Sequence, residues 1–450
     1  MDLPTQGPNR GSSQSRTSKA LRVLMIVENC PYARDPRVRR EATTLVKAGH
    51  QVSVISPAWT RQAWRQLIDG VKVYQFPLVS VGGAQVGYVF EYLVALLAIT
   101  VLTAAIFFGD GFDVIHVANP PDWIILVVAF YKLFGKLIIF DQHDLCPELY
   151  HARFHRPSAT VSSVLTYLER FSYTVADYVI VTNESYKDVA LHRGGRSPER
   201  VAVVRNGPDL DDIRVIEADP ELRSKSANII LYAGIIGAQD GVDFLCRALQ
   251  NLRYKLGRED FYCVVLGEGD ALAEVKALAH SLGLDGFIYF AGWVNDSATY
   301  ARYLATADIC AAPEPSNSYN DRSTFVKVME YMCSGKPIVA FDLPETRFSA
   351  GRAALYARPN DEADFAQQLA RLMDDPALRR SSGEIGQQRI RRKLAWEYSA
   401  PVLLSVYENL ANPMPAFRDV TSTVATTTTT TLDHTPPTPD KVNATGNAGR

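Results

Sequence analysis

The sequence predicts an α/β protein of two tandem domains, each built on an open, doubly wound parallel sheet. Short runs rich in Val, Ile and Leu alternate with helical stretches, which is typical of strands buried between layers of helices. Two such series are separated by a polar connection, residues 209–228. The predicted strands are Val23–Val27, Val52–Ile55, Val71–Phe76, Val114–Val117, Leu137–Asp141, Tyr178–Thr182 and Val201–Val204 in the first series, then Ile229–Ala233, Tyr262–Leu266, Ile288–Ala291, Ile309–Ala312 and Ile338–Phe341 in the second.

Helices are predicted between these strands. Pro36 suits the first turn of a helix and Gly49 suits the residue just after one, so a helix is expected over Pro36–Ala48. A last helix, Trp396–Leu410, has no strand after it and is expected to pack back across one of the two domains. The other predicted helices are Pro121–Leu133, Thr160–Val175, Gly241–Tyr254, Ala271–Leu282, Ser297–Thr306, Thr324–Ser334 and Glu362–Met373.

Length and composition agree with two domains of ordinary size. The chain has 450 residues, of which 47% are hydrophobic and 21% charged, so a large core is available. Residues 1–20 are polar and residues 413–450 are rich in Thr and Pro, and we expect both to be disordered tails. The expected domains are residues 21–208 and 229–395, joined by 209–228 and followed by a helical segment, 396–412.

Charge and cysteine content exclude several classes of protein. Lys and Arg together number 47 against 49 for Asp and Glu, so bulk attraction to nucleic acid is not expected. Six cysteines are scattered without a C-x-x-C pair, which argues against a disulfide framework or a zinc site. Lys19 and Arg22 lead directly into a strand, with no apolar signal segment, so we expect a cytoplasmic protein.

The segment Tyr92–Phe108 is apolar and carries no charge. It is slightly shorter than the roughly 20 residues that usually span a bilayer. The strand that follows should continue the same sheet, so a span would divide one domain across a membrane. We therefore favour a buried core helix or a membrane-surface helix over a transmembrane span, and expect peripheral contact with the inner face of the membrane.

Several common nucleotide and hydrolase motifs are missing from the sequence. No G-x-G-x-x-G follows the first strand, and neither G-x-x-x-x-G-K-[ST] nor G-x-S-x-G occurs. Gly267-Glu268-Gly269 lies at the end of a second-half strand. It is either a tight turn or a place where backbone N–H groups approach an anion.

The densest polar cluster, Asn317–Glu330, lies between a strand and a helix. Ser323 or Thr324 is expected to cap that helix, whose free N–H groups would attract a phosphate. Lys327 and Glu330 are three residues apart and share a helix face. A cation near phosphates and a carboxylate near ribose hydroxyls would hold a nucleotide diphosphate; the alternative is a capped surface helix with a Lys–Glu pair.

From about Leu21 to Tyr407 the chain resembles the retaining glycosyltransferases of family 4 (glycosyltransferase group 1), which have the GT-B fold of two Rossmann-like domains facing across a cleft. The resemblance rests on four parts of the sequence. They are Arg34–Ala42 with Ala48–Val52, Asn119–Asp122 with Asp141–Glu148, Arg205–Asp209, and Asn320–Ala340 after Pro315-Ser316.

The resemblance implies transfer of a sugar from a nucleotide-diphosphate sugar to a hydroxyl of a glycan or lipid-linked acceptor, with retention and without a metal or other cofactor. Cell-surface polysaccharide or glycolipid synthesis is the expected setting. His143 and Asp144 would be catalytic, Glu330 would bind ribose, and Lys327 would lie towards the phosphates. The implied donor side comprises Gly267, Gly269, Trp293, Val294, Asn320, Asp321, Arg322, Ser323, Thr324, Lys327 and Glu330, and the acceptor or phosphate side Arg34, Asp35, Arg37, Asn119 and Glu148.

Two positions depart from the family pattern. The first glutamate of its E-x7-E motif falls on Arg322, with Asp321 one residue away. The loop Gly234–Gly241 has neither member of the Arg/Lys pair that commonly neutralises the diphosphate. Because a leaving diphosphate needs fixed positive partners, we expect Lys327, Arg322 or Arg37 to compensate.

Other interpretations stay open at this stage. His143 is either an active-site or a structural histidine. The arginines from Arg34 to Arg40 form a solvated helix face, a phosphate contact or a docking site for anionic lipid. Asp209-Leu210-Asp211 matches a metal-binding D-x-D, but it lies in the connection, so no metal is expected there. Alternative functions are a nucleotide-sugar epimerase of the same fold and a non-catalytic subunit of a membrane glycan-assembly complex.

Overall fold

The computed structural model describes residues 20–58, 63–77, 85–154, 156–210, 216–294 and 296–411, with only the backbone for 85–90. Within this part, residues up to Val203 form one mainly parallel sheet and residues from Asn228 onwards form a second sheet. The tails predicted at 1–20 and 413–450 lie outside the described residues, apart from Ala20. The prediction of two tandem α/β halves is confirmed.

The first sheet has eight strands among the described residues, in the order β3-β4-β2-β1-β5-β6-β7-β8. All neighbours are parallel except β3, which pairs antiparallel with β4 at one edge. The edge strand β3 was not predicted, because it is short and carries Arg and Gln. The strands are β1 (Arg22–Ile26), β2 (Gln51–Ala58), β3 (Arg65–Ile68), β4 (Val71–Pro77), β5 (Val114–Ala118), β6 (Leu137–Gln142), β7 (Tyr178–Val181) and β8 (Val201–Val203).

The second sheet is parallel throughout the described residues, in the order β11-β10-β9-β12-β13-β14. Its last strand was not predicted, since it contains two alanines and only four residues. The strands are β9 (Asn228–Ala233), β10 (Phe261–Leu266), β11 (Ile288–Gly292), β12 (Ile309–Ala312), β13 (Ile338–Phe341) and β14 (Ala354–Ala357).

Helices cover both faces of the first sheet, because alternate residues of each strand point to opposite sides. Val23 and Met25 pack in a cluster with α1 and α15, whereas Leu24 and Ile26 pack with α2 and α3. The helices are α1 (Pro36–Lys47), α2 (Gln85–Phe108), α3 (Ile124–Ala129), α4 (Cys146–Arg153), α5 (Ala159–Val175), α6 (Glu184–His192), α7 (Pro220–Arg223), α8 (Val242–Tyr254), α9 (Leu272–Ser281), α10 (Ser297–Thr306), α11 (Val326–Cys333), α12 (Pro344–Ala350), α13 (Glu362–Asp374), α14 (Pro376–Arg389) and α15 (Trp396–Ala411).

The first helix begins at the predicted residue and ends at Lys47, one residue before the predicted end. Pro36 is its first residue, and the Asp35 carboxylate accepts hydrogen bonds from the backbone N–H groups of Arg37 and Val38, both at 3.0 Å. Gly49 follows the helix with a φ of 91°, which favours glycine. The local sequence is therefore enough to place α1.

The last helix, α15, packs on the first domain. Leu403, Val406 and Tyr407 are fully buried in the cluster that contains Val23 and Met25. Its Trp396 indole N–H donates to Thr44 Oγ1 of α1 at 2.9 Å. The chain thus returns from the second sheet to the first, and α15 connects the two domains.

Replacing Leu403 with alanine tests the packing of α15 on the first domain. The side chain is fully buried, so Leu403→Ala leaves a cavity and is expected to lower the free energy of unfolding by about 2–5 kcal/mol. The midpoint of urea denaturation measures the loss. Ser405→Ala, on the exposed face of the same helix, should change stability by no more than about 0.5 kcal/mol. Equal effects of the two changes would contradict the packing of α15.

Candidate functional site

A cleft of about 920 Å³ lies between the two domains, where parallel strands of both sheets end. Open parallel sheets bind their ligands at this end of the strands. The cleft is lined from the first domain by residues including Asn29, Tyr92, Pro120, His143, Asp144, Arg153, Tyr186 and Asn206, and from the second by residues including Gly234, Gln239, Asp240, Gly267, Gly269, Trp293, Val294, Tyr300, Tyr319, Ser323, Thr324, Lys327 and Glu330.

The turn Gly267-Glu268-Gly269 is both a tight turn and a wall of the cleft. Gly267 has a φ of 136°, and a Cβ there would lie 1.8 Å from the Gly234 carbonyl oxygen. A Cβ on Gly269 would lie 2.3 Å from the Ile236 carbonyl oxygen. Only glycine therefore lets the loop after β10 approach the backbone of the loop after β9 so closely.

Lys327 is a buried cation at the second-domain side of the cleft. Its Nζ lies 2.6 Å from Glu314 Oε1 and donates to the Tyr232 hydroxyl at 2.9 Å. Burial alone would lower the pKa of Lys327, but the Glu314 carboxylate and neighbouring groups raise it well above the ordinary lysine value. The lysine is therefore charged and held in a fixed position.

The loop after β9 supplies a carboxylate to the cleft instead of a cation. Asp240 Oδ2 accepts a hydrogen bond from the Gly237 N–H at 3.0 Å. Burial raises the pKa of Asp240 to about 6, although Lys327 acts in the opposite direction. Lys327 is thus accompanied by two acidic side chains, Glu314 and Asp240.

Glu330 lies one helical turn after Lys327 and lines the same cleft. Its Oε2 accepts a hydrogen bond from the Tyr300 hydroxyl at 2.6 Å. Burial raises the pKa of Tyr300 well above its ordinary value, so that hydroxyl stays protonated and donates. Trp293, which is 45% exposed, and Val294 line the cleft as well.

The segment Asn320–Thr324 does not cap α11. The residue before the helix is Phe325, and no side chain caps the helix there. Ser323 Oγ instead donates to the Tyr319 carbonyl oxygen at 2.8 Å and lies 3.1 Å from the Tyr186 hydroxyl of the first domain. The prediction of a Ser323 or Thr324 cap is therefore wrong, because tertiary hydrogen bonds take up these hydroxyls.

The same segment connects the two domains. Asn183 Nδ2, in the loop before α6, donates to the Arg322 carbonyl oxygen at 2.8 Å and to Thr324 Oγ1 at 3.0 Å. The Arg322 guanidinium donates to the Ser318 carbonyl oxygen. Asn320 is fully buried and donates to the Gln239 carbonyl oxygen at 2.9 Å. Asp321 accepts from Ser316 Oγ at 3.2 Å.

His143 and Asp144 lie across the cleft, in the loop after β6. Asn119 Oδ1 accepts hydrogen bonds from their backbone N–H groups, at 2.6 Å from His143 N and 3.1 Å from Asp144 N. The Tyr319 hydroxyl of the second domain donates to Asp144 Oδ1 at 2.5 Å. Burial raises the pKa of Asp144. Asn119, itself 1% exposed, therefore holds the backbone of both predicted catalytic residues.

The remaining first-domain candidates do not line the cleft. Arg37 is 4% exposed and pairs with Asp141 and Glu41, which argues against its expected role as a phosphate partner. Asp35 caps α1, and Glu148 pairs with Arg193 at 2.5 Å. Arg34 ends a short 3-10 helix before α1.

One buried group has the donor atoms of a metal site. Ligand atoms of Glu41, His116 and Asp141 all lie within 4.8 Å of one another. The Arg37 guanidinium, however, lies 3.1 Å from Glu41 and 2.6 Å from Asp141, and already supplies the positive charge. A metal therefore does not fit there. Of the D-x-D match, Asp211 lies outside the described residues.

Several functional candidates were missed by sequence reasoning. Three of them are tyrosines that belong to no sequence motif: Tyr232, Tyr300 and Tyr319. The role of each depends on partners from other elements. Glu314 had a usable signal, since Pro313-Glu314-Pro315 directly follows strand β12, at the end of the sheet where ligands bind.

Sequence comparison finds two family models along the chain. The model described as Glycosyltransferase Family 4 matches residues 37–212, and the model described as Glycosyl transferases group 1 matches residues 227–375. The D-inositol 3-phosphate glycosyltransferase of Corynebacterium kroppenstedtii is 29% identical over 258 residues, which cover 54% of this chain and 55% of that relative. The chain thus spans just over half the length of this relative.

Solved structures share the architecture. Sucrose-phosphate synthase from Thermosynechococcus elongatus superposes with a TM-score of 0.71 at 18% identity, covering 87% of this chain and 99% of that chain. The Anabaena protein HepE in complex with UDP-glucose superposes with a TM-score of 0.63 at 16% identity, covering 87% and 99%. The chain therefore matches the family 4 model and then the group 1 model in two successive segments, and its two sheets have the GT-B fold.

Proposed function

We propose that this protein transfers a sugar from a nucleotide-diphosphate sugar to an acceptor hydroxyl, with retention at the sugar. The observation that carries the proposal is the placement of Lys327 and Glu330 on one face of α11, with His143 lining the same cleft from the other domain. The two family matches support the reaction class. Retention rests on the resemblance to the family.

Each side of the cleft has a chemical role in this proposal. Lys327 faces the diphosphate and stabilises the negative charge that develops as it leaves. The Glu330 carboxylate, held by Tyr300, accepts hydrogen bonds from the ribose hydroxyls. Trp293 and Val294 flank the base, and the transferred sugar points towards His143 and Asp144. No cofactor or metal takes part.

The outer surface of the first domain supports the proposal of a lipid-linked acceptor at the inner face of the membrane. The segment Glu91–Phe108 of α2 is long and apolar enough to cross a membrane, with a mean hydropathy of 2.2, and only 22% of it is buried, so α2 is not a mostly buried core helix. One side, including Ala95 and Ile99, packs on the first sheet. The other side exposes Leu93, Leu97 and Val101.

This exposed side continues onto neighbouring elements. Leu126 of α3, and Phe130 and Leu133 of the 3-10 helix that follows it, are more than half exposed. Tyr92 of α2 lies in the wall of the cleft. A helix that packs by one face and exposes an apolar stripe on the other suits the membrane surface, where it would bring the cleft close to a lipid-linked acceptor.

Removing the two polar groups of α11 tests the donor site. Lys327→Ala and Glu330→Ala are each expected to lower donor turnover by about 10²-fold or more, the scale of one lost transition-state partner. Release of the nucleoside diphosphate measures it: UDP from UDP-glucose, and UDP, GDP or dTDP from a panel of the corresponding nucleotide sugars. Lys255→Ala, at an exposed position after α8, is the matched control.

The same assay separates the alternatives. Unchanged turnover in both α11 variants would contradict the site. Isomerisation of the donor without any acceptor would indicate an epimerase. Failure of every donor to bind in calorimetry would indicate a non-catalytic subunit.

The charge of Asp240 predicts a pH dependence of donor binding. With a pKa of about 6, this carboxyl is neutral below that pH and anionic above it. The Asp240 anion, which lies near Lys327, Glu314 and Asp270, repels the negatively charged diphosphate. UDP-glucose should therefore bind tighter at pH 5 than at pH 8. Asp240→Asn should bind about 5- to 10-fold tighter at pH 8 and flatten this dependence. The same pH profile in both proteins would refute the role of Asp240.

Membrane contact is tested by adding charge to the exposed stripe. Leu97→Glu and Val101→Glu introduce charges on the exposed face of α2 and should remove binding to anionic lipid vesicles, measured by co-sedimentation. Leu256→Glu, at an exposed position of the second domain, should bind as the unchanged protein does. Vesicle binding that survives both α2 changes would argue against this surface.

A further inference from the structure

A buried charged cluster lies beneath the first-domain wall of the cleft. Arg37 Nε and Nη2 donate to the two carboxylate oxygens of Asp141 at 3.1 and 2.6 Å, and Nε lies 3.1 Å from Glu41 Oε1. The side chains of Arg37, Glu41, His116 and Asp141 are each 4% exposed or less, whereas that of His143 is 14% exposed and lines the cleft. The cluster therefore contacts the cleft through His143.

Asp141 pairs with one nitrogen of the His143 ring. Asp141 Oδ2 lies 2.5 Å from His143 Nε2. Burial alone would raise the pKa of Asp141, but the Arg37 guanidinium and the hydrogen bond with His143 hold it well below the ordinary value. A carboxylate can only accept a hydrogen bond, so the proton between them belongs to Nε2. Among the described residues, no group hydrogen-bonds to the other ring nitrogen, Nδ1.

The last helix reaches Asp141 indirectly, through His116. The Tyr407 hydroxyl of α15 lies 2.7 Å from His116 Nδ1, and His116 Nε2 lies 3.3 Å from Asp141 Oδ2. Burial lowers the pKa of His116, so its ring is neutral; with Nδ1 accepting from Tyr407, the proton is on Nε2, which lies near Asp141 Oδ2 and 3.5 Å from Glu41 Oε2. Asp141 is thus fixed by Arg37 from α1 and by His116 from β5.

We propose that Asp141 is a positioning residue for His143, which fixes the imidazole as its Nε2–H tautomer and leaves the Nδ1 lone pair directed at the cleft. This inference rests on the proposed function for its catalytic consequence, because a neutral ring in that state accepts a hydrogen bond from a hydroxyl at the reacting centre. A carboxylate that sets the tautomer of a histidine from behind in this way can be as important to the rate as a group that touches the substrate.

The tautomer can be measured without any substrate. In protein labelled with ¹³C and ¹⁵N at histidine, the ring signals of His143, assigned by their loss in His143→Gln, should report the Nε2–H form. Asp141→Asn should reduce that form, because an amide both donates and accepts. Asp188→Asn, exposed on α6, should leave it unchanged. An Nδ1–H ring in the unchanged protein, or the same ring state in Asp141→Asn, would overturn the proposal.

Kinetics supply the second readout. Asp141→Asn is expected to lower donor turnover at least about 10-fold while the Kd for UDP-glucose stays constant, because Asp141 does not touch the nucleotide side. A loss confined to the Kd would also overturn the proposal. Since the tautomer is measured in the unchanged protein, a poorly folded variant does not remove the test. An Nε2–H ring in a protein that turns over no donor would contradict the proposed function and leave the pairing intact.

Discussion

The ion pair between Arg37 and Asp141 is the interaction on which the rest of the first domain depends. A buried guanidinium must find compensating charge, and removing one partner of such a pair typically costs about 3–5 kcal/mol. Arg37 also donates to the Val204 carbonyl oxygen and to Asn206 Oδ1, both at 2.7 Å. One side chain therefore joins α1, β6 and the start of the connection to the second domain.

This pair also links the fold to the chemistry. Asp141 is the penultimate residue of β6, and the loop that follows the strand places His143 and Asp144 in the cleft. The last helix reaches the same carboxylate through Tyr407 and His116. Packing of α15, which fastens the second domain to the first, and the orientation of the cleft histidine therefore depend on the same buried group.

The charged side chains in the second-domain wall of the cleft differ from those of the family that the sequence resembles. A leaving diphosphate needs a fixed positive partner, and under the proposed function Lys327 is that partner, with the acidic side chains of Asp240 and Glu314 beside it. Glu314 keeps the lysine charged and in place. The segment Asn320–Thr324, where the family has its first glutamate, bonds instead to Asn183 and Tyr186 of the first domain.

The sequence by itself determined the strand and helix alternation, the two tandem halves and the position of Lys327 and Glu330 on one helix. These follow from local periodicity, from Pro36 and Gly49 at the ends of α1, and from spacing along one helix. The tertiary structure decided the rest: that Arg37 pairs with Asp141, that Ser323 and Thr324 form hydrogen bonds across the domains, and that Glu314 and Tyr300 hold Lys327 and Glu330. Each of these contacts joins residues that are distant in sequence, or residues that had an equally good partner nearby in the sequence. Only the packing of the folded chain decides which of the available partners is used.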